Sequence, residues 1–383
     1  MNRMKIKIFL ALGVLAIGTA SMAFAQAAVR SNSGAAADSN VVKRDEAKDS
    51  VTPRGAADDP KETTAEEADI SHRADWMRQA RWGVMTHFLA EWINPQAHSS
   101  VAAWNAMVDG FDVEGLAEQI KSTGAGYYLV TIGQNSGFYD SPNAAYDKFV
   151  GIQPSHCSKR DLIADLYTAL NKRGIKLMVY LPAGAPGRDP VARKALEWQP
   201  GPHRNREFQI KWEQVIREWS LRWGKKVSGW WFDGVYWPNA MYRGDSPNFS
   251  SFAAAVRAGN PDAVIAFNPG VLDRTLSLTP YEDYTAGETN DLERVSIRRV
   301  QDGRADGAQI HRLIFLGQTW GKGPPRFSNE QVTGFTQNFV AQGGVVTWDV
   351  PIQPNGLISK PFMEQLTAIG KAVAQQKLPV PNR

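Results

Sequence analysis

The chain reads as an α/β protein, a (β/α)8 TIM-like barrel forming a single domain. Three observations predict it. Short apolar, β-branched or aromatic runs alternate with amphipathic helical stretches through eight βα units over about 300 residues. The runs are apolar enough to be buried on both faces, as strands of a parallel sheet are. No glycine-rich phosphate loop follows the first run, as a doubly wound sheet would require.

The elements follow in order. WGVMTHF (82–88) is the first expected strand. A helix follows, with Asp112 as N-cap and Val113, Leu116, Ala117 and Ile120 on one face. YYLVTIG (127–133) is the second strand. In the next helix Ser158 and Asp161 resemble a capping box, and Leu162, Leu166 and Leu170 share a face. IKLMVYLP (175–182) is the third strand, Phe208 to Trp223 a long helix, and VSGWWFDG (227–234) the fourth strand. A helix around Phe252 to Ala258 leads to AVIAFNPG (263–270). YEDYTAGE (281–288) is a weaker sixth strand and HRLIFLGQ (311–318) a stronger seventh. Helix 328–341 precedes VVTWDVPI (345–352), and Phe362, Leu366 and Ile369 stripe a closing helix.

The folded body is expected over 71–383. Before it, Arg3, Lys5 and Lys7, the apolar Ile8 to Ile17 and a small-x-small Ala23-Phe24-Ala25 site make residues 1–25 a signal peptide. That leader predicts a periplasmic or secreted product, with no membrane attachment after cleavage. Residues 26–70 contain no aromatic residue and are rich in Ala, Ser, Asp, Glu and Lys, the composition of a disordered spacer. The single cysteine, Cys157, excludes an intrachain disulfide and argues against a cysteine-built metal site. The formal net charge of +4 is modest and the basic residues are scattered, so no nucleic-acid footprint is expected. Oligomeric state is not legible.

In a barrel of this kind chemistry sits at the C-terminal strand ends. The residues there are His87, Gln134, Asn135, Tyr180, Asp233, Asn268, Asp283, Glu288, Gln318, Trp320, Trp348 and Asp349. The set holds carboxylates, amides and aromatics. It has no Schiff-base lysine and no cluster at metal-ligand spacing, so neither cofactor nor metal is expected. Sugars suit this mixture, because C–H faces stack on rings while amides and imidazoles bond hydroxyls. Cleaving a glycosidic bond needs two carboxyl groups flanking an oxocarbenium-like transition state.

The motifs point the same way. RWGVMTHF, LAEQIKSTGAGYYLVTIGQNSGFYDSPN, KRDLIADLYTALNKRGIKLMVYLP, GWWFDG and GGVVTWDVPIQPNGLISKPFMEQLTAIGKAV occur in this order. Together the chain resembles glycoside hydrolase family 29, the retaining α-L-fucosidases, from about Trp76 to Val373. The resemblance implies that Asp233 is the nucleophile and, by position, that Glu288 is the acid/base, with Glu282 and Asp283 as competitors. It also implies an exo-acting hydrolase of a terminal fucoside or related deoxy-sugar. The paired histidines with which the family binds sugar hydroxyls are Gln134 and Asn135 here. A family arginine after strand five is replaced within Asn268-Pro269-Gly270. The β-sandwich that usually follows the family's barrel is not expected, so this is a divergent member.

Each candidate has a plainer reading. Asp233 is otherwise a structural Asp-Gly turn, and Glu288 a solvated loop residue. His87 is a sugar ligand or a satisfied core histidine; Gln134 and Asn135 are ligands or turn formers. Trp92 and Trp237 are aromatic platforms or packing, and Tyr180 is substrate-binding or core. His98, His156 and His203 are structural or exposed. Two functional alternatives stay open: a non-catalytic carbohydrate-binding protein on a degenerate barrel, and a glycosidase for another sugar. A second carboxylate across the barrel mouth favours an enzyme.

Overall fold

The computed structural model describes residues 72–93, 100–242, 244–272, 274–292 and 303–376. The expected signal peptide, the spacer and His98 lie outside the described residues.

Seven parallel strands form one curled sheet: β1 (Trp82–Thr86), β2 (Tyr127–Thr131), β3 (Lys176–Pro182), β4 (Gly229–Asp233), β5 (Val264–Phe267), β8 (His311–Phe315) and β9 (Val345–Asp349). Their order is β5-β4-β3-β2-β1-β9-β8. A two-stranded hairpin, β6 (Arg304–Ala305) and β7 (Ala308–Gln309), precedes β8. This α/β arrangement is compatible with a TIM-like barrel. Side-chain alternation divides the core in two. Met85, Leu129, Met178, Tyr180, Trp231 and Leu313 pack on the inner face of the sheet. Their neighbours Val84, Val130, Val179, Trp230, Phe232 and Ile314 pack outward, against the helices.

Seven of the eight expected strands appear; β3 ends at Pro182 as the sequence pattern did, and each of the others ends one to three residues before it. The sixth does not. Residues 283–289 follow an irregular path instead, although the backbone is bonded on both sides. Asp283 N donates to Ile265 O of β5 at 2.9 Å, and Thr289 N donates to Leu313 O of β8 at 3.0 Å. The break has a physical cause at Gly287, whose φ is 63° and where a Cβ would lie 1.9 Å from the His311 carbonyl oxygen. Only glycine lets the two backbones approach so closely in that conformation.

The helices explain why the strand ends are fixed. In helix Arg206–Trp223, Phe208, Trp212, Val215, Ile216, Trp219 and Trp223 fall at helical spacing and are all buried. Buried indoles need partners for their N–H. Trp212 Nε1 donates to Pro182 O at the end of β3, at 3.0 Å, and Trp223 Nε1 donates to Asp161 Oδ1, also at 3.0 Å. Burying each such side chain contributes roughly 1.5–3 kcal/mol, so this helix is clamped to the rim that carries Asp233. Helix Val113–Thr123 is capped by Asp112, which accepts from Gly115 N. The expected Ser158 capping box is corrected: Asp161 is the N-cap of Leu162–Asn171, while Ser158 Oγ donates to Arg160 O.

Candidate active site

β4 and β5 pair so that Phe232 lies beside Phe267, and the next residue of each strand opens onto the C-terminal rim. Asp233 and Asn268 are thereby neighbours, 35 positions apart in sequence. Asn268 Nδ2 donates to Asp233 Oδ1 at 2.8 Å and to Glu288 Oε2 at 2.7 Å. One amide nitrogen thus forks between two carboxylates. Gly270 N donates to Asn268 Oδ1 at 3.0 Å, which fixes which end of the amide carries the hydrogens.

The rest of Asp233 is equally committed. Gly234 N donates to Oδ1 at 2.8 Å, and Tyr180 O–H donates to Oδ2 at 2.6 Å. Gln134 Nε2 in turn donates to the Tyr180 oxygen at 2.6 Å. Tyr180 stacks on Trp231, with ring centroids 5.3 Å apart. Burial first, and the Asp233 charge second, hold the Tyr180 phenol well above its ordinary range, so it stays a proton donor. Tyr236 is also pushed up, mainly by the charge of Asp233 and then by burial, with Glu288 adding to both.

Glu288 keeps part of its surface open to the rim. Burial of the rest, followed by the Asp233 charge, raises its carboxyl to about 7, with the Asn268 hydrogen bond opposing. The Asp233 charge thus works with burial against ionisation of Glu288.

The competitors of Glu288 occupy other surroundings. Glu282 is buried, and its two oxygens accept from Phe267 N, Ser277 Oγ, Leu278 N and Thr279 N. It anchors a turn. Asp283 is buried and paired with Arg257 Nη2 at 2.6 Å, and it accepts from Ile265 N. Neither reaches the Asn268 fork.

A second group gathers around His87. Its Nδ1 lies 2.7 Å from Asp349 Oδ1, and Gly321 N donates to Asp349 Oδ2 at 2.7 Å. With Nδ1 committed to the carboxylate, Nε2 is the ring nitrogen left to bond a ligand. The ring lies 4.7 Å from Trp92, 5.8 Å from Tyr180 and 6.1 Å from Trp320. Gly321 has φ 61°, and a Cβ there would lie 3.0 Å from both His87 Cβ and the Trp92 ring. Lys322 Nζ sits over that ring at 5.1 Å.

The structure therefore brings Asp233, Glu288, Tyr180 and Gln134 into one hydrogen-bonded set, and His87 with Trp92 alongside it through Tyr180. Asn135 sits apart, its carbonyl accepting from Arg188 N at 2.8 Å. Trp237 is half-buried and packs edge-on to Tyr236 at 6.0 Å. His156 faces Asp189 at 3.3 Å and stacks on Phe138, while His203 is exposed. Asn268 and Asp349 were visible in sequence only as polar residues at strand ends. Among the described residues, no group of three or more His, Cys, Asp or Glu is placed to hold a metal ion. No described helix is long and apolar enough to cross a membrane.

Paired carboxylates, amides and aromatic rings at the C-terminal ends of a curled parallel sheet are the groups that cleavage of a glycosidic bond calls for. The α-L-fucosidase family model matches residues 51–377, and the chain belongs to that family. No curated protein matches the sequence. Among solved structures it is similar to the endo-fucoidan hydrolase MfFcnA4 of glycoside hydrolase family 107, with a TM-score of 0.63 and 19% identity. That match covers 81% of this chain and 55% of the other, so the chain spans little more than half of that relative's length. It is also similar to α-L-fucosidase isoenzyme 1 from Paenibacillus thiaminolyticus (TM-score 0.58, 18% identity, 80% of this chain and 76% of the other). A third match is the α-L-fucosidase AlfC from Lactobacillus casei (TM-score 0.55, 17% identity, 78% and 97%).

Proposed function

We propose that the chain is an exported, retaining exo-glycosidase of the α-L-fucosidase type, releasing a terminal fucose or closely related deoxy-sugar. The observation that carries this is the Asn268 fork. Its two short bonds bound the distance between one oxygen of Asp233 and one of Glu288, within the ~5–5.5 Å separation of carboxylates in retaining enzymes. An inverting pair needs more room, about 6.5–9.5 Å, to admit a water.

In this reading Asp233 attacks the anomeric carbon. The electron pair of the breaking bond passes to the glycosidic oxygen, which takes the proton of Glu288. Glu288, now ionised, removes a proton from water, and that water displaces Asp233 with a second inversion. A carboxyl raised to about 7 suits both duties near neutral pH. Tyr180, Gln134 and Asn268 hold Asp233 rather than react. His87, its ring oriented by Asp349, bonds a sugar hydroxyl between Trp92 and Tyr180. Asn135 and Trp237 are assigned to the outer rim of the substrate site.

Two structural readings go with the proposal. Segment 283–289, bonded to β5 and β8, stands in the place of a sixth strand and closes a (β/α)8 barrel. The basic, apolar and small-residue order of residues 1–25 directs export to the periplasm or beyond. A panel of aryl glycosides that includes the α-L-fucoside tests the activity, and NMR of the first-formed sugar tests the stereochemistry. Release of β-L-fucose first, or hydrolysis confined to other glycosides, overturns the corresponding part.

A further inference from the structure

The loop that follows β3 carries a second concave surface, outside the set around Asp233. It spans helix Pro190–Ala195 and the start of helix Arg206–Trp223, and encloses a groove of about 700 Å3. Trp198 lies in its wall, its ring beside Gly184 and 4.6 Å from Phe208. The loop is held in shape from within. Asn205 accepts from Gln199 N and donates to Gln199 O, both at 2.9 Å, and Arg204 donates to the carbonyls of Met241, Asp245 and Pro247. The groove is thus formed before any ligand arrives.

Its charge is one-sided. Glu197 is paired with Lys211 at 2.6 Å, and Arg204 is spent on carbonyls and Gln209. The side chains of Arg193 and Lys194 have no ion pair or hydrogen bond among the described residues, and Arg193 Nε is buried without an acceptor. Among the described residues the Arg206 guanidinium donates only to Ser246 O. Three cations therefore face the groove against one uncommitted carboxylate, Glu207. An oxyanion entering the groove would supply the acceptors that the Arg193 and Lys194 side chains lack. The same loop touches the rim of the main site, where Arg188 N donates to Asn135 O and Gly187 lies 3.1 Å, measured from a Cβ placed there, from Asn135 Oδ1.

We propose that this groove is a distal subsite for an acidic polysaccharide, taking a sulfate or carboxylate group on Arg193, Lys194 and Arg206 and a sugar ring on Trp198. It rests on the glycosidase reading for its class of ligand: the chain end would enter at Asp233 while the remainder crosses the rim. Polysaccharide suits the groove better than nucleic acid because the cations are few and local and the chain as a whole carries a formal charge of only +4.

The test measures binding and not turnover, so it stands whether or not fucosides are cleaved. Affinity electrophoresis of the full chain is run through gels containing dextran sulfate, alginate, neutral dextran or polyadenylate. Retardation by dextran sulfate or alginate but not by dextran is expected, and whichever anion acts at lower concentration identifies the group. R193Q/K194Q should weaken that retardation about five- to tenfold, as should 0.5 M salt at about a 4 Å screening length. Thermal melting of the variant establishes that it is folded, and R206Q supplies an independent substitution at the groove's other side. Equal retardation by dextran, stronger retardation by polyadenylate, or folded variants that bind like the parent would overturn the proposal.

Discussion

Asn268→Ala is the perturbation that most directly interrogates the site. The substitution removes the nitrogen shared by Asp233 and Glu288 and leaves Asp233 with the donors Tyr180 O–H and Gly234 N–H. Glu288 loses the hydrogen bond that holds its carboxyl down, while burial and the Asp233 charge go on raising it from about 7. A hydrogen bond to a charged group contributes about 1.5–3 kcal/mol, and about 1.4 kcal/mol is one pKa unit. The basic limb of kcat/KM, where the acid loses its proton, should therefore move upward from about 7 by roughly one unit. Looser placement of Asp233 should lower kcat roughly ten- to a hundredfold. The assay is hydrolysis of an aryl α-L-fucoside from pH 5 to 10, with thermal melting to verify folding. A folded variant whose rate falls while the limb stays put or moves to lower pH would refute the coupling. Asn268 would then be only a backbone anchor.

Three further outcomes follow from the same geometry. Asp233→Ala should lower kcat on the order of 10³ or more without unfolding the chain, and azide should restore turnover to give a product of inverted configuration; a folded and fully active variant places the nucleophile elsewhere. Glu288→Gln should stabilise the fold at alkaline pH. The folded carboxyl is raised from 4.5 to about 7, so the stability linked to its protonated form is complete below pH 4.5 and lost as pH rises through 7. Urea unfolding at pH 5 and pH 8.5 should therefore show the variant's advantage only at the higher pH, at most about 3 kcal/mol and less for the part of Glu288 facing solvent. Asp349→Asn should raise KM about tenfold with a smaller change in kcat, since it releases the imidazole of His87 from its charged partner; an unchanged KM removes His87 from sugar binding.

What the sequence discloses here is what depends on local order. Strand runs, the Asp112 cap and the Trp212–Trp223 stripe are short-range patterns, and GWWFDG places Asp233 at a strand end because strand and turn are contiguous. Side-chain partners across the rim are a different matter. Asp233, Asn268 and Glu288 meet only because β4 and β5 are adjacent and residues 283–289 run between β5 and β8. The choice among Glu282, Asp283 and Glu288 was equally hidden. Simple alternation puts Glu282 and Glu288 on one face, yet Glu282 turns to the backbone of 277–279 and Phe267 while Glu288 reaches Asn268. The positive φ at Gly287 separates their paths, and a glycine letter does not announce which way a chain will bend there. Ser158 misled for a similar reason, since its hydroxyl donates to the Arg160 carbonyl and accepts from no N–H of the helix start.

The cradle around Asp233 has a consequence for synthesis. Its donors, Tyr180 O–H, Asn268 N–H and Gly234 N–H, all belong to groups other than the carboxylate they hold. Asp233→Gly would leave all three directed at a space of carboxylate size, a ready-made receptor for a small anion. Fluoride departing from a glycosyl fluoride of inverted anomeric configuration would be received there, while Glu288 takes the proton of an acceptor sugar's hydroxyl. With no nucleophile left to hydrolyse the product, the same frame would join sugars rather than part them.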